Sequence, residues 1–189
     1  NAFKRTKCVL ISGTTLAHPN LRKTTLKIIK SAKEAGCALV MDIDYRPVLW
    51  GLTKPGDGET RFKESEEATS IIKNTLNNFD LIVGTEEEFR IASGAKNNAE
   101  SIQSIQSQIT ENCLLILKTG EKGCSVYYGN NTNPYISTPY PVKVMNVLGA
   151  GDAFFSGFLR GWLRNETIEK CTQYANANGA IVVTRHGCS

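Results

Sequence analysis

The chain has 189 residues, 41% apolar and 21% charged, with 16 glycines and six prolines. Enough apolar residue is present for a core, which excludes disordered, collagen-like and low-complexity classes. The net charge of +4 is small and spread along the chain. Clusters such as Lys4-Arg5-Lys7 and Arg22-Lys23-Lys27-Lys30 carry no nucleic-acid signature and read as solvated faces. No apolar run approaches the roughly 18–20 residues of a membrane span, and no apolar leader follows Asn1-Ala2-Phe3-Lys4-Arg5. Length predicts about one domain, at roughly 100–200 residues each.

The elements alternate. Val9-Leu10-Ile11 is a short strand ended by Ser12-Gly13. A helix is predicted from Asn20 to Ala35, with Leu21, Thr25, Ile28, Ile29, Ala32 and Ala35 near one face and Gly36 as its stop. Cys37 to Ile43 reads as a buried strand. Asp44 to Thr60 is a Pro/Gly-rich loop holding Tyr45-Arg46-Pro47 and Gly56-Asp57-Gly58. A second helix follows to about Asn77, then the strand Phe79–Val83. Thr85-Glu86-Glu87-Glu88 fits a capping box. A helix is expected over Ala99–Glu111 and a strand over Leu114–Leu117. Ser125–Tyr128 and Tyr140–Val144 read as the two arms of a β-hairpin. Gly149-Ala150-Gly151 opens a long helix to about Arg164, and Thr167 caps a last one ending near Arg185.

Repeated β-α-β units predict an α/β fold with a mainly parallel sheet covered by helices. In such sheets ligands sit beyond the carboxyl ends of the strands. Those ends are Asp42/Asp44, Val83-Gly84-Thr85, Lys118-Thr119-Gly120 and Asn146–Gly151. Six cysteines, at 8, 37, 113, 124, 171 and 188, show no zinc-site spacing. Several lie in apolar runs, as reduced intracellular thiols do. His18 and His186 have no sequence partner and are assigned no catalysis. Trp50 and Trp162 read as core or interface aromatics.

The sharpest segment is Asn146-Val147-Leu148-Gly149-Ala150-Gly151-Asp152-Ala153-Phe154. Glycines ahead of a helix let a ligand approach the backbone, and the unpaired first-turn N–H groups suit a phosphate. Asp152 would repel that phosphate unless it served as a general base toward an attacking hydroxyl. The other reading is a plain helix N-cap or first-turn acid. The Walker pattern is absent. The dinucleotide fingerprint fails because Phe154 occupies its last position, which disfavours a dinucleotide oxidoreductase.

Gly149–Phe154 resembles the second signature of the ribokinase (PfkB) family of sugar kinases, roughly D-T-x-G-A-G-D-x-F. Lys118-Thr119-Gly120-Glu121-Lys122-Gly123 resembles the family's K-x-G-x-x-G segment near the nucleotide phosphates. Tyr174–Ala180, with Asn176 and Gly179, resembles the helix bordering adenine. Val83–Glu87 falls where the family has N-x-x-E. Five blocks also resemble the family's sugar-acid kinases: Asp42–Trp50, Val83–Glu88, Asn146–Phe154, Gly157–Arg164 and Arg185–Cys188. Asn146 and Gly84 depart from the broad family, standing where it has Asp and Asn.

The resemblance implies a ribokinase-like three-layer α/β/α fold and ATP-dependent phosphorylation of a sugar-acid hydroxyl in the cytoplasm, by a chain that could form a homo-oligomer. It implies ATP and Mg2+ as cofactors and leaves a monovalent cation open at Asn146. The backbone amides of Ala150, Gly151 and Asp152, after Gly149, would stabilise the transferring phosphoryl, and Asp152 would be the base. Lys118, Gly120, Gly123, Asn176 and Gly179 would hold the nucleotide. Arg46, beside Asp44, would meet a phosphate or the substrate carboxylate. Glu87 would organise Mg2+ and its waters.

Plainer roles stay open. Arg46 and Lys118 could be solvated, Glu87 could only favour the helix dipole, and Asn176 could be a helix-packing polar group. Family members are longer and begin with a sugar-binding region and a small β-lid, and this chain opens on Asn1 rather than Met. Residues 1–189 are therefore expected to form one partial kinase domain, its nucleotide-binding and catalytic half, with the N-terminal part and lid missing. A nucleotide-binding fragment without turnover is the alternative from another class.

Overall fold

The computed structural model describes residues 2–54 and 62–187. Gly56-Asp57-Gly58 and Cys188 lie outside the described residues. Six strands are described: β1 (Cys8–Ser12), β2 (Ala38–Asp42), β3 (Leu81–Thr85), β4 (Leu114–Lys118), β5 (Cys124–Tyr128) and β6 (Tyr135–Ser137). The helices are α1 (Pro19–Glu34), α2 (Glu66–Lys73), α3 (Glu86–Ser93), α4 (Asn98–Gln106), α5 (Ala150–Trp162) and α6 (Ile168–Val183). The strands make one mixed sheet in the order β1-β2-β3-β4-β5-β6. β1/β2 and β2/β3 are parallel, and β5/β6 is antiparallel.

The chain divides into two compact units, Asn1–Leu117 with Tyr127–Thr132, and Lys118–Val126 with Asn133–Ser189. In the first unit the register pairs Ser12 with Asp42 and Asp42 with Val83. The carboxyl ends of β1 and β2 are therefore level, and β3 runs two residues past them to Thr85 on the same edge of the sheet. β2 is buried at four of its five positions. That explains its unbroken apolar run, since a parallel strand is covered on both faces. Leu39, Met41, Ile43, Phe79, Ile82 and Phe89 are buried in the core.

α1 turns Thr25, Ile29 and Ala32 inward. Leu21 is 54% exposed and Ala35 lies past the helix end, so neither joins the expected buried face. A 16-residue helix is ~24 Å long and outruns a five-residue strand of ~17 Å, which leaves its end turns in solvent. His18 caps this helix, with Asn20 N–H donating to its Nδ1 at 3.3 Å. α2 starts later than expected, at Glu66, because Ser65 Oγ accepts from Ala68 N–H at 3.2 Å and fixes the first turn there. α4 ends at Gln106, short of the expected Glu111.

The second unit corrects the hairpin. Cys124 pairs with Ser137 and Val126 with Tyr135, so the return arm is β6 rather than Tyr140–Val144. Pro139 and Pro141 lack the N–H that a ladder needs, and residues 138–147 take no regular structure. α5 and α6 pack closely in this unit. A Cβ added at Gly157 would lie 2.5 Å from Tyr174 O, and one at Gly161 would lie 2.9 Å from Cys171 Sγ.

Candidate active site

In the second unit α5 begins from Gly149, which sits in the left-handed region at φ 78° and offers no side-chain cap. Ala150 N–H donates to Val147 O at 3.2 Å and so closes the turn. The N–H groups of Gly151 and Asp152 have no acceptor among the described residues. The amides left for an anion are thus two, not the three expected. Asp152 is exposed in the first turn of α5, and its carboxylate has no partner among the described residues. Gly149 is the cap, so Asp152 is a first-turn acid and not the N-cap.

Lys118 ends β4, half-buried, and its Nζ lies 3.5 Å from where a Cβ on Gly151 would stand. A lysine ammonium and the positive end of a helix both attract an anion. Lys118 and Gly151 meet in one corner, and Asp152 follows Gly151 in the first turn of α5. Asn146 shapes the turn leading into it. Its Oδ1 accepts from Leu148 N–H at 3.0 Å, and its Nδ2 donates to Gly187 O at 3.2 Å. An aspartate could make the first bond but not the second, which gives this chain a physical reason for its departure from the signature.

The other nucleotide candidates of this unit divide. Gly120 is exposed in the turn after β4. Gly123 is buried, with φ 90°, and a Cβ there would lie 2.1 Å from Ser137 O; its place is set by close approach to β6. Asn176 is 6% exposed. Its Nδ2 donates to Ser137 Oγ at 2.9 Å and to Thr138 O at 3.0 Å, tying α6 to the end of β6. Gly179 faces the start of α5, where a Cβ would stand 3.7 Å from Phe154 Cβ and 3.8 Å from Ala150 O.

In the first unit Asp44 follows β2 with φ 37°, one of two described non-glycine residues at positive φ. Arg46 Nε donates to its Oδ1 at 2.9 Å and Ser12 Oγ donates to its Oδ2 at 2.9 Å. Next to this pair, Tyr45 N–H donates to Glu88 Oε1 at 3.2 Å. Tyr45 is buried, its hydroxyl donates to Lys63 O at 2.6 Å, and burial pushes its pKa up to about 12.

The three glutamates at the head of α3 are not equivalent. Glu88 completes the capping box, its Oε2 accepting from Thr85 N–H at 2.7 Å while Thr85 Oγ1 accepts from Glu88 N–H. Glu86 accepts from Asn98 Nδ2. Glu87, half-buried, has no partner among the described residues. No group of three or more His, Cys, Asp or Glu side chains gathers around a metal-sized site among the described residues. Glu87 is thus a single free carboxylate. That suits Mg2+, which keeps most of its shell as water and phosphate oxygen.

Sequence reasoning gave no role to Ser12, and none to Glu88 beyond the cap. Ser12 carried one signal, its place at the carboxyl end of β1. No described helix is long and apolar enough to cross a membrane.

The mixed sheet with its helices is the ribokinase-like fold. A fructokinase double mutant from Vibrio cholerae O395, solved with fructose, ADP and potassium ion, superposes with a TM-score of 0.80 at 25% identity, covering 97% of this chain and 56% of that one. An aminoimidazole riboside kinase from Salmonella enterica, at 20% identity and a TM-score of 0.78 over 96% of this chain and 58% of that one, shares the fold. Residues 1–189 match the pfkB family carbohydrate kinases, and the chain belongs to that family.

Two relatives named 5-dehydro-2-deoxygluconokinase are each 31% identical. The one from Geobacillus kaustophilus aligns over 99% of this chain and 52% of its own length. The one from Listeria monocytogenes aligns over 99% of this chain and 54% of its own length. The chain spans about half the length of these relatives.

Proposed function

We propose that the protein is an ATP-dependent kinase of a sugar acid, with 5-dehydro-2-deoxy-D-gluconate as substrate and its 6-phosphate as product. The observation that carries this is the corner at the start of α5. Two unpartnered amides and the Lys118 ammonium favour an anion, and beside them Asp152 keeps an unengaged carboxylate. In this reading Asp152 accepts the proton of the attacking hydroxyl as it approaches the γ-phosphoryl. The Gly151 and Asp152 amides and Lys118 neutralise charge on the phosphoryl oxygens, where preorganised donors act most strongly. Gly120 and Gly179 leave room for the nucleotide, while Gly123 and Asn176 hold the surrounding walls in place.

The names of the relatives support the choice of sugar acid. In this reading Arg46 meets the substrate carboxylate, whose geometry its planar fork matches. Glu87 would hold Mg2+ through its waters. Bound there, the ion would supply charge neutralisation at the phosphate oxygens. A monovalent cation near Asn146, inositol breakdown as the pathway and the cytoplasm as the compartment belong to the same proposal. So does the reading of residues 1–189 as one partial kinase domain.

A coupled ADP-release assay on the complete enzyme with 5-dehydro-2-deoxy-D-gluconate tests the proposal. Asp152→Asn should lower kcat by about two to four orders of magnitude with ATP affinity retained, the usual contribution of a positioned base. An unchanged kcat would remove Asp152 from the base role. ATP binding without turnover of any 2-deoxy or 3-deoxy keto acid would leave a nucleotide-binding protein instead.

A further inference from the structure

Asp44 is held from two sides, and the two sides are not alike. Arg46 Nε bonds Oδ1 and Ser12 Oγ bonds Oδ2, both at 2.9 Å. Neither oxygen is left unclaimed, so Asp44 serves the chain as a clamp. The rest of the Arg46 guanidinium has no partner among the described residues, and the side chain is 56% exposed. One edge of the fork is fixed through Nε.

Ser12 is itself held. Its Oγ lies 2.6 Å from Thr14 Oγ1 and accepts from Thr14 N–H at 3.3 Å. A carboxylate only accepts, so Ser12 spends its single proton on Asp44. The Ser12–Thr14 contact then runs one way, with the Thr14 hydroxyl donating. Thr15 Oγ1 donates to Ser12 O at 2.8 Å, and Thr25 Oγ1 from α1 donates to Thr15 Oγ1 at 3.0 Å. The Thr14 hydroxyl thus donates to Ser12 and the Ser12 hydroxyl to Asp44, which accepts from Arg46 on its other oxygen, while Thr25 and Thr15 hold the Ser12 backbone carbonyl. Gly13 makes the approach possible, since a Cβ there would lie 2.1 Å from Ile43 O. Asp44 is held at φ 37°, a conformation a non-glycine residue keeps only where its surroundings impose it.

We infer that Ser12 is a positioning residue: through Asp44 it fixes the Arg46 guanidinium in the orientation that receives the carboxylate of an acidic substrate. This rests on the proposed sugar-acid reading. Without the Ser12 bond, Asp44 can rotate about its side chain and carry Arg46 with it. The cost then falls on binding of the acid and not on the nucleotide or the chemical step.

The test uses the complete enzyme and 5-dehydro-2-deoxy-D-gluconate, with KM for each substrate and kcat measured for Ser12→Ala, Ser12→Thr, Arg46→Ala and the Ser12→Ala/Arg46→Ala pair. Ser12→Ala should raise KM for the acid about tenfold, the scale of one hydrogen bond to a charged group, with KM for ATP and kcat within about twofold. Ser12→Thr keeps the hydroxyl and should restore most of the loss. In the Arg46→Ala background Ser12→Ala should add nothing, because residues acting in series are not additive. Equal effects on both substrates, no rescue by threonine, or full additivity would overturn the inference and leave Ser12 a structural residue. If Arg46→Ala itself leaves KM for the acid unchanged, the sugar-acid role of Arg46 fails first. If it raises that KM and Ser12→Ala does not, only the present inference fails.

Discussion

Gly123 and Gly151 both lie in segments the family uses at phosphate, yet what their missing side chains would touch differs. A Cβ on Gly123 would run into Ser137 O at 2.1 Å, on a backbone at φ 90°. Gly123→Ala should therefore strain the turn and push β6 away, lowering stability by about 2 kcal/mol or more. A Cβ on Gly151 would sit 3.5 Å from Lys118 Nζ, an ordinary contact on a helical backbone. Alanine is the better helix former, so Gly151→Ala should leave the melting temperature unchanged or higher. Its methyl would nevertheless occupy the corner where the anion is proposed to bind, and KM for ATP should rise about fivefold or more, as close backbone approach is lost. Melting curves and ATP kinetics on the two variants separate a glycine needed for folding from one needed for the ligand. A Gly151→Ala variant that melts early with normal KM would reverse the assignment.

At the scale of elements, α5 and α6 depend on two glycines one helical turn apart. Gly157 faces the backbone carbonyl of Tyr174 at 2.5 Å from its would-be Cβ, and Gly161 faces Cys171 Sγ at 2.9 Å. A backbone oxygen cannot yield without moving its helix, whereas a side-chain sulfur can rotate. Gly157→Ala should cost about 1–3 kcal/mol by overpacking, and Gly161→Ala less, read from chemical denaturation midpoints. The reverse order would show that the pair is not packed as described.

This close packing was only partly legible in the sequence, where Gly157 and Gly161 stood in a block that resembled relatives without a stated reason. What could be read were features with a local cause: the capping box at Thr85, the Gly149 helix start, the Thr167 cap and the apolar run of β2. What could not be read depended on distant partners. The three residues of β6 are too short to show a period, while Tyr140–Val144 alternates like a strand but has prolines beside and within it. Asn176 bonds Ser137, 39 residues away, and Asp44 bonds Ser12, 32 residues away. No spacing rule connects them, so these bonds were not legible in the sequence.

Over the whole molecule, the resolved titration shifts point the same way. Burial pushes the Cys113 and Cys124 thiols up to about 12 from an ordinary 9.0, with Asp80 adding to the effect at Cys113. It pushes Tyr45 up to about 12 from 10.0. Cys8, Tyr127 and Cys171 are also raised, chiefly by burial. Each of these groups is neutral when protonated, and each keeps its proton to higher pH in the folded state than in the unfolded one. Between the two values the folded state binds more protons, so stability falls as pH rises. The contribution is complete below about pH 9 and is lost progressively toward pH 12. Denaturant midpoints measured from pH 8 to 11 should hold steady to about 9 and then drop. Cys113→Ala and Cys124→Ala together should start from a lower midpoint, because two buried side chains are truncated. Their loss between pH 9 and 11 should nonetheless be smaller, because two titrating groups are gone. Native-state thiol titration at pH 8 should find both cysteines slow to react, since the thiolate is the reactive form. An equally steep alkaline loss in the double variant would place the cause elsewhere, in the raised tyrosines Tyr45 and Tyr127 or in Cys8 and Cys171.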